Sequence, residues 1–316
     1  MAHDIERGRY LKSAPESRGG KHVFVTGLAR AGTTILMREI HATGQFGSLT
    51  YADMPFVLAP NLWAGLSRKN AGSRAERAHG DGIEVDMNSP EALEEVYWRV
   101  FHGADYISAA GLAPHTPTRD AMEGYLDYLR LILRRTGKSR YLAKNNNAIL
   151  RLRPQARALP DSLFLIPVRA PLPHAQSLLH QHRRFLAADP FTAEYMTWLA
   201  HHEFGATQRP FRIGRGPAGD PMTLDYWLSL WIAVYADLGA AAAELPNALI
   251  VPHEDLVGYP ALWPALCRKL GLESTPLSEA RATGPRAAEA HDAALAAEAG
   301  ALYDALRRSA LDRILP

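Results

Sequence analysis

The sequence predicts an α/β protein: a P-loop-like three-layer fold with a central parallel sheet and additional helical insertions. Three observations predict it. His22-Val-Phe-Val-Thr-Gly27 is a short β-branched run that breaks at a glycine, turns through small residues and enters an amphipathic helix at Thr33. Ser162-Leu-Phe-Leu-Ile-Pro-Val168 is an apolar run of strand length, of the kind buried on both faces in a parallel sheet. Between and beyond these runs, strand-like and helix-like segments alternate, which is the pattern of repeated βαβ units.

Residues 1–20 are polar and contain glycine, which predicts a loose leader ahead of a single domain over 21–316. A helix is expected near 33–43. The Gly/Arg/Ser-rich stretch from 65 to 82 reads as a surface excursion. Ser89-Pro90-Glu91 offers a cap, a first-turn proline and an acid favoured by the helix dipole, so a helix is expected from there to about His102. A further helix is expected over Thr118 to Thr136, stopped at Gly137, followed by a strand over Tyr141-Leu-Ala-Lys144. Ala148 to Leu159 would cross to the strand at 162, and Pro221 onward gives a long helix to Glu244. Residues 205–221 read as an irregular loop. The alanine-rich tail, 287–311, is a good helix former expected to pack on the outside or against a partner, and a homodimer is among the partners expected.

With 316 residues, 47% of them apolar, the chain can bury a sizeable core. A formal charge of +2 is too small for a nucleic-acid surface. The single cysteine, Cys267, excludes an internal disulfide framework, and its helical apolar setting makes it a small core residue. No apolar run approaches the roughly 20 residues of a membrane span, and the first residues lack the apolar core of a secretion signal. The expectation is a soluble, cytoplasmic protein with no transmembrane segment.

Gly27 and Gly32 have the G-x-x-x-x-G separation of a nucleotide loop, but Thr33 stands where such a loop carries its lysine. The cation is Arg30, inside the loop. Glycine lets the backbone approach an anion, loop N–H groups point inward, and the first helical turn adds unpaired donors and a positive dipole end. Arg169 ends the second apolar run, and Ser177 follows eight residues later, one turn into a helix opened by Pro171 and Pro173. Both can converge on one anion, because ligands in such sheets bind at the carboxyl edge. These residues alone leave three readings open: a transferase, a P-loop kinase or NTPase, and a non-catalytic nucleotide-binding protein.

The same motifs resemble those of sulfotransferases that use 3′-phosphoadenosine 5′-phosphosulfate (PAPS), closer to the bacterial and tyrosylprotein branch than to the cytosolic phenol and steroid type. Their Lys/Arg-Ser-Gly-Thr-Thr loop looks like Arg30-Ala31-Gly32-Thr33-Thr34, and their 3′-phosphate arginine and serine are matched by Arg169 and Ser177. Their strand followed by Tyr-Glu-Asp-Leu appears as Leu249-Ile-Val-Pro-His253-Glu-Asp-Leu256. The resemblance implies that Arg30, Thr33 and Thr34 hold the 5′-phosphosulfate and that His253 replaces an adenine-holding tyrosine. It implies that Lys144, followed by Asn145 where the family has an acid, steadies the sulfuryl group or its bridging oxygen. Ala31 replaces the loop serine, so backbone N–H groups must serve in its place. PAPS is the implied co-substrate, with no metal, and the acceptor is a small molecule, carbohydrate, lipid or peptide.

Sulfuryl transfer needs in-line positioning and charge stabilisation, and the acceptor hydroxyl needs a base. Asp53 is the carboxylate expected in that role, since it follows the first helix and stands among Met54, Pro55 and Phe56, whose apolar setting favours a raised pKa. His102, His115 and His174 are the reserve candidates. No histidine spacing has metal-ligand logic.

Overall fold

A computed structural model describes residues 1–66, 75–76, 84–274, 276–277 and 289–316. Most of the 65–82 excursion therefore lies outside the described residues, as do residues 287 and 288 of the tail. Five parallel strands make the central sheet: β1 Val23–Val25, β2 Phe46–Gly47, β3 Arg140–Lys144, β4 Leu163–Val168 and β5 Ala248–Pro252. Their order is β2-β3-β1-β4-β5. The longer helices are α1 Ala2–Tyr10, α2 Thr33–Ala42, α3 Glu95–Tyr106, α4 Arg119–Thr136, α5 Pro171–Leu186, α6 Pro190–Trp198, α7 Leu224–Glu244 and α8 Ala293–Ile314.

The period-2 alternation of strand side chains divides the core between the two faces of the sheet. Phe24, Tyr141, Phe164 and Ile166 point to one face, where α4 and α7 cover them. Val23, Val25, Leu142, Leu165 and Val251 point to the other, against Leu36, Met37 and Ile40 of α2 and the short helix Leu262–Leu270. The result is the expected three-layer α/β arrangement. From central β1 the chain moves out to β2, returns to β3, then crosses β1 to reach β4 and β5. That reversal is a topological switch point, and in open sheets ligands bind outside the strand carboxyl ends at such a point.

Several elements differ from the sequence expectation for identifiable reasons. The leader is not loose over residues 2–10, which form α1. Its buried Glu6 carboxylate accepts from Asn61 N (2.9 Å), Asn61 Nδ2 (2.6 Å) and Leu62 N (2.9 Å). It thereby satisfies first-turn donors of the helix Pro60–Leu66. The helix expected from Pro90 begins at Glu95, because Pro90 bridges Thr50, and Glu91 donates its N–H to Leu49 O (3.2 Å). The crossing segment after β3 starts as a 3-10 turn, Asn146–Arg151, before the helix Leu152–Ala158. α4 fits its prediction, with Thr118 Oγ1 accepting from Ala121 N (3.2 Å) and Gly137 closing it in left-handed backbone. α7 is long and apolar enough to cross a membrane by length and composition, and it packs against β5, α5 and α8.

Candidate functional site

The turn after β1 has the geometry of an anion cradle. Gly27 (φ 145°) passes so close to β4 that an added Cβ would sit 3.3 Å from Pro167 O. Gly32 (φ 92°) precedes α2 with no side chain capping the helix, so the first-turn N–H donors face the loop side. A Cβ on Gly32 would lie 2.5 Å from His253 Nδ1, which places the imidazole against the cradle. Arg30 adopts left-handed backbone (φ 69°), a conformation that a non-glycine residue holds only where its surroundings impose it.

Three of the site residues expected from sequence meet here. Arg30 Nε donates to Ser177 Oγ (3.4 Å), across 147 positions. Arg169 Nη1 donates to Arg30 O (3.4 Å). Parallel pairing explains the meeting: β1 and β4 are neighbours, so the loop after β1 and the start of α5 after β4 emerge side by side. α5 itself is anchored, since Ala170 N donates to Glu254 Oε1 (3.0 Å) just past β5. Ala31 is buried, and its N–H turns back to Leu28 O (3.4 Å).

Lys144 ends β3 in register with Val25 of β1, and so reaches the same edge. It lines a small cavity with Arg30, Thr33, Thr34 and Asn146. Two residues that sequence reasoning did not place there, His201 and Glu203, also line it, beside Ala29 and Phe204. They follow α6 in an irregular segment without periodicity or motif, so nothing local marks them. Glu203 Oε1 accepts from Asn146 Nδ2 (2.9 Å), and Glu203 Oε2 lies 3.6 Å from His201 Nδ1. Burial pushes the Glu203 carboxyl up, but His201, Asn146 and Lys144 outweigh it and hold the group well below the usual carboxylate range.

Asp53, expected as the base, does not line this cavity. Its carboxylate is engaged by Thr50 N (2.8 Å), Thr50 Oγ1 (3.2 Å) and Arg135 Nη2 (2.6 Å), which makes it the cap of a 3-10 turn and the partner of α4. Burial raises its pKa against the opposing pull of Arg135 and Thr50. Asp53→Asn is therefore expected to lower unfolding stability by about 1 to 3 kcal/mol in urea denaturation, while turnover of the folded variant stays within a few-fold of the parent. A hundredfold loss of turnover at unchanged stability would restore Asp53 to the chemistry.

The reserve histidines are also accounted for. His174 is fully buried beneath the loop, where its Nε2 pairs with Ala29 O (2.8 Å), and burial pushes its pKa down to about 3. It holds the cradle as a neutral group. His115 stacks on Tyr106, and His102 lies 3.6 Å from Asp105; neither lines the cavity. Among the described residues, no group of three or more His, Cys, Asp or Glu side chains is assembled to hold a metal.

No family model matches the chain, and no curated protein matches it. Solved structures do. The sulfotransferase STF1 from Mycobacterium tuberculosis aligns with a TM-score of 0.53 over 99% of this chain and 81% of that one, at 15% identity. Sulfotransferase STF9 from Mycobacterium avium aligns at TM-score 0.48, over 98% and 80%, with 14% identity. A sulfotransferase from Alicyclobacillus acidocaldarius gives 0.41, over 93% and 95%, with 13% identity. Identities this low speak to architecture and not to activity. The parallel sheet, its switch point and the turn after β1 thus belong to a chain with the fold of the mycobacterial sulfotransferase STF1.

Proposed function

We propose that this chain is a sulfotransferase that moves a sulfuryl group from PAPS to an acceptor hydroxyl or amine by in-line transfer. The observation that carries this reading is the convergence of Arg30, Ser177 and Arg169, from three separate segments, at the carboxyl edge of the sheet. Sulfuryl transfer asks little covalent work of a protein; it asks for donors and cations where charge spreads. In this reading Arg30 and the hydroxyl and N–H donors of Thr33 and Thr34 hold the 5′-phosphosulfate. Arg169 and Ser177 hold the 3′-phosphate, His253 lies against the adenine side, and Lys144 steadies the bridging oxygen. The acceptor is a small molecule, carbohydrate, lipid or peptide, no metal or nucleic acid takes part, and the protein works in the cytoplasm.

Nucleotide choice tests the reading. Adenosine 3′,5′-bisphosphate should bind on the order of 10²-fold more tightly than AMP or ADP, because the 3′-phosphate adds charge-assisted bonds from Arg169 and Ser177. Magnesium should not change that ratio. Calorimetry that gives equal affinities, or an ATP preference that requires magnesium, favours a P-loop kinase instead.

A further inference from the structure

We propose that His201, backed by Glu203, takes the proton of the acceptor, and that Asn146 and Asn147 are positioning residues that hold this pair at the cavity. The inference rests on the sulfuryl-transfer reading above. Glu203 is the one acid among the residues lining the Arg30–Lys144 cavity, and His201 is the one imidazole. His201 Nδ1 lies 3.6 Å from Glu203 Oε2, close enough for the carboxylate to attract a ring N–H on that side, and in the proposed role Nε2 is the proton-accepting nitrogen. A carboxylate that stays ionised beside the ring also stabilises the imidazolium that forms.

The frame around the pair is unusually specific. Among described non-glycine residues, left-handed backbone occurs at two positions, Arg30 (φ 69°) and Ala200 (φ 61°). One carries the loop cation and the other immediately precedes His201. Backbone held in such a region points to a site whose surroundings over-determine it. Asn147 Nδ2 donates to Ala200 O (2.9 Å), and Asn146 Nδ2 donates to Glu203 Oε1 (2.9 Å). Asn145, next to Lys144, is held by the buried carboxylates of Glu94 (3.1 Å) and Glu95 (2.7 Å). One turn after β3 therefore carries the cation on one side and the supports of the His201–Glu203 segment on the other. The charged and titratable groups that share the cavity with His201 are Glu203, Lys144 and Arg30, and His202, its chain neighbour, is in turn acted on by Glu203 and Arg209.

In the transfer step the acceptor oxygen forms a bond to sulfur as the sulfur–oxygen bond to the 5′-phosphate breaks. The bond's electron pair leaves with the phosphate oxygen, and the acceptor proton passes to His201 Nε2. The imidazolium returns it to water after product release.

The test uses the full chain, PAPS as donor and water as acceptor, with sulfate release as the rate. His201→Gln should slow release by about 10² to 10⁴, the span of general-base catalysis. Its affinity for adenosine 3′,5′-bisphosphate should stay within threefold of the parent, which also shows that it folds. Glu203→Gln and Asn147→Ala should lower kcat about tenfold with the donor KM unchanged. Nitrogen-15 NMR of His201 should show Nδ1 protonated in the parent and a tautomer mixture in Glu203→Gln. Release by His201→Gln within threefold of the parent would overturn the assignment, and so would an Nε2-protonated ring in the parent, whatever the turnover. Failure of the parent to bind the bisphosphate would instead overturn the donor reading.

Discussion

Arg30→Ala should reduce transfer by about 10² to 10³ while leaving the unfolding midpoint near that of the parent. Alanine suffers the same left-handed backbone (φ 69°) as arginine, so the substitution removes a guanidinium without changing the strain of the loop. What is lost is a cation beside the place where charge develops, together with the contact from Nε to Ser177 Oγ (3.4 Å). Arg30→Lys should recover part of the rate, since it restores the charge as a point on a flexible stem but not the Nε donor. Steady-state rates and urea denaturation of both variants check the expectation. An alanine variant that turns over within a few-fold of the parent would remove the loop from the chemistry.

The largest expected stability effect lies outside the cavity. Arg151 is fully buried; it pairs with Glu95 and its guanidinium stacks over Trp98 at 4.4 Å and Tyr106 at 5.4 Å. Arg151→Met should lower stability by about 3 to 5 kcal/mol, because it leaves the Glu95 carboxylate buried without its cation. Arg151→Met combined with Glu95→Gln should regain part of that loss, since the second change removes the stranded charge. Urea unfolding of the single and double variants measures both. A single variant within about 1 kcal/mol of the parent would show that Tyr106, whose hydroxyl also donates to Glu95, and Asn145 satisfy the carboxylate unaided. Asn145 links this cluster to the turn after Lys144, so weaker turnover should accompany the stability loss.

The parts of the site that were legible in the sequence are those whose chemistry is local. A glycine-broken strand, a cation in a short loop and a helix start are all contained in the twelve residues from Val23 to Thr34, in the pattern of an anion cradle. An apolar run that ends in arginine, with a hydroxyl one turn into the next helix, is likewise visible along the chain. The placement of Asp53 is not legible along the chain, because an acid before an apolar turn looks the same in one dimension whether it faces a cavity or sits in the capping box of a 3-10 turn. Arg135, which claims it, is 82 positions away.

The alternation of strands and helices, the glycine-bounded turn after β1 and the Arg169–Ser177 spacing can be read along the chain, because each depends on periodicity, glycine conformation or helix termini within a few residues. Tertiary structure alone decided which distant groups meet. Parallel pairing of β1 with β4 brings Ser177 to Arg30, pairing with β3 brings in Lys144, and the turn after β3 reaches across to His201 and Glu203. The buried Glu6 of α1 belongs to the same class: its helix reads as a polar leader because its partners, Asn61 and Leu62, stand far along the chain. Hydrogen bonds between residues tens of positions apart leave no periodic trace in the sequence, and they arise only once the hydrophobic layers have set the register of the sheet.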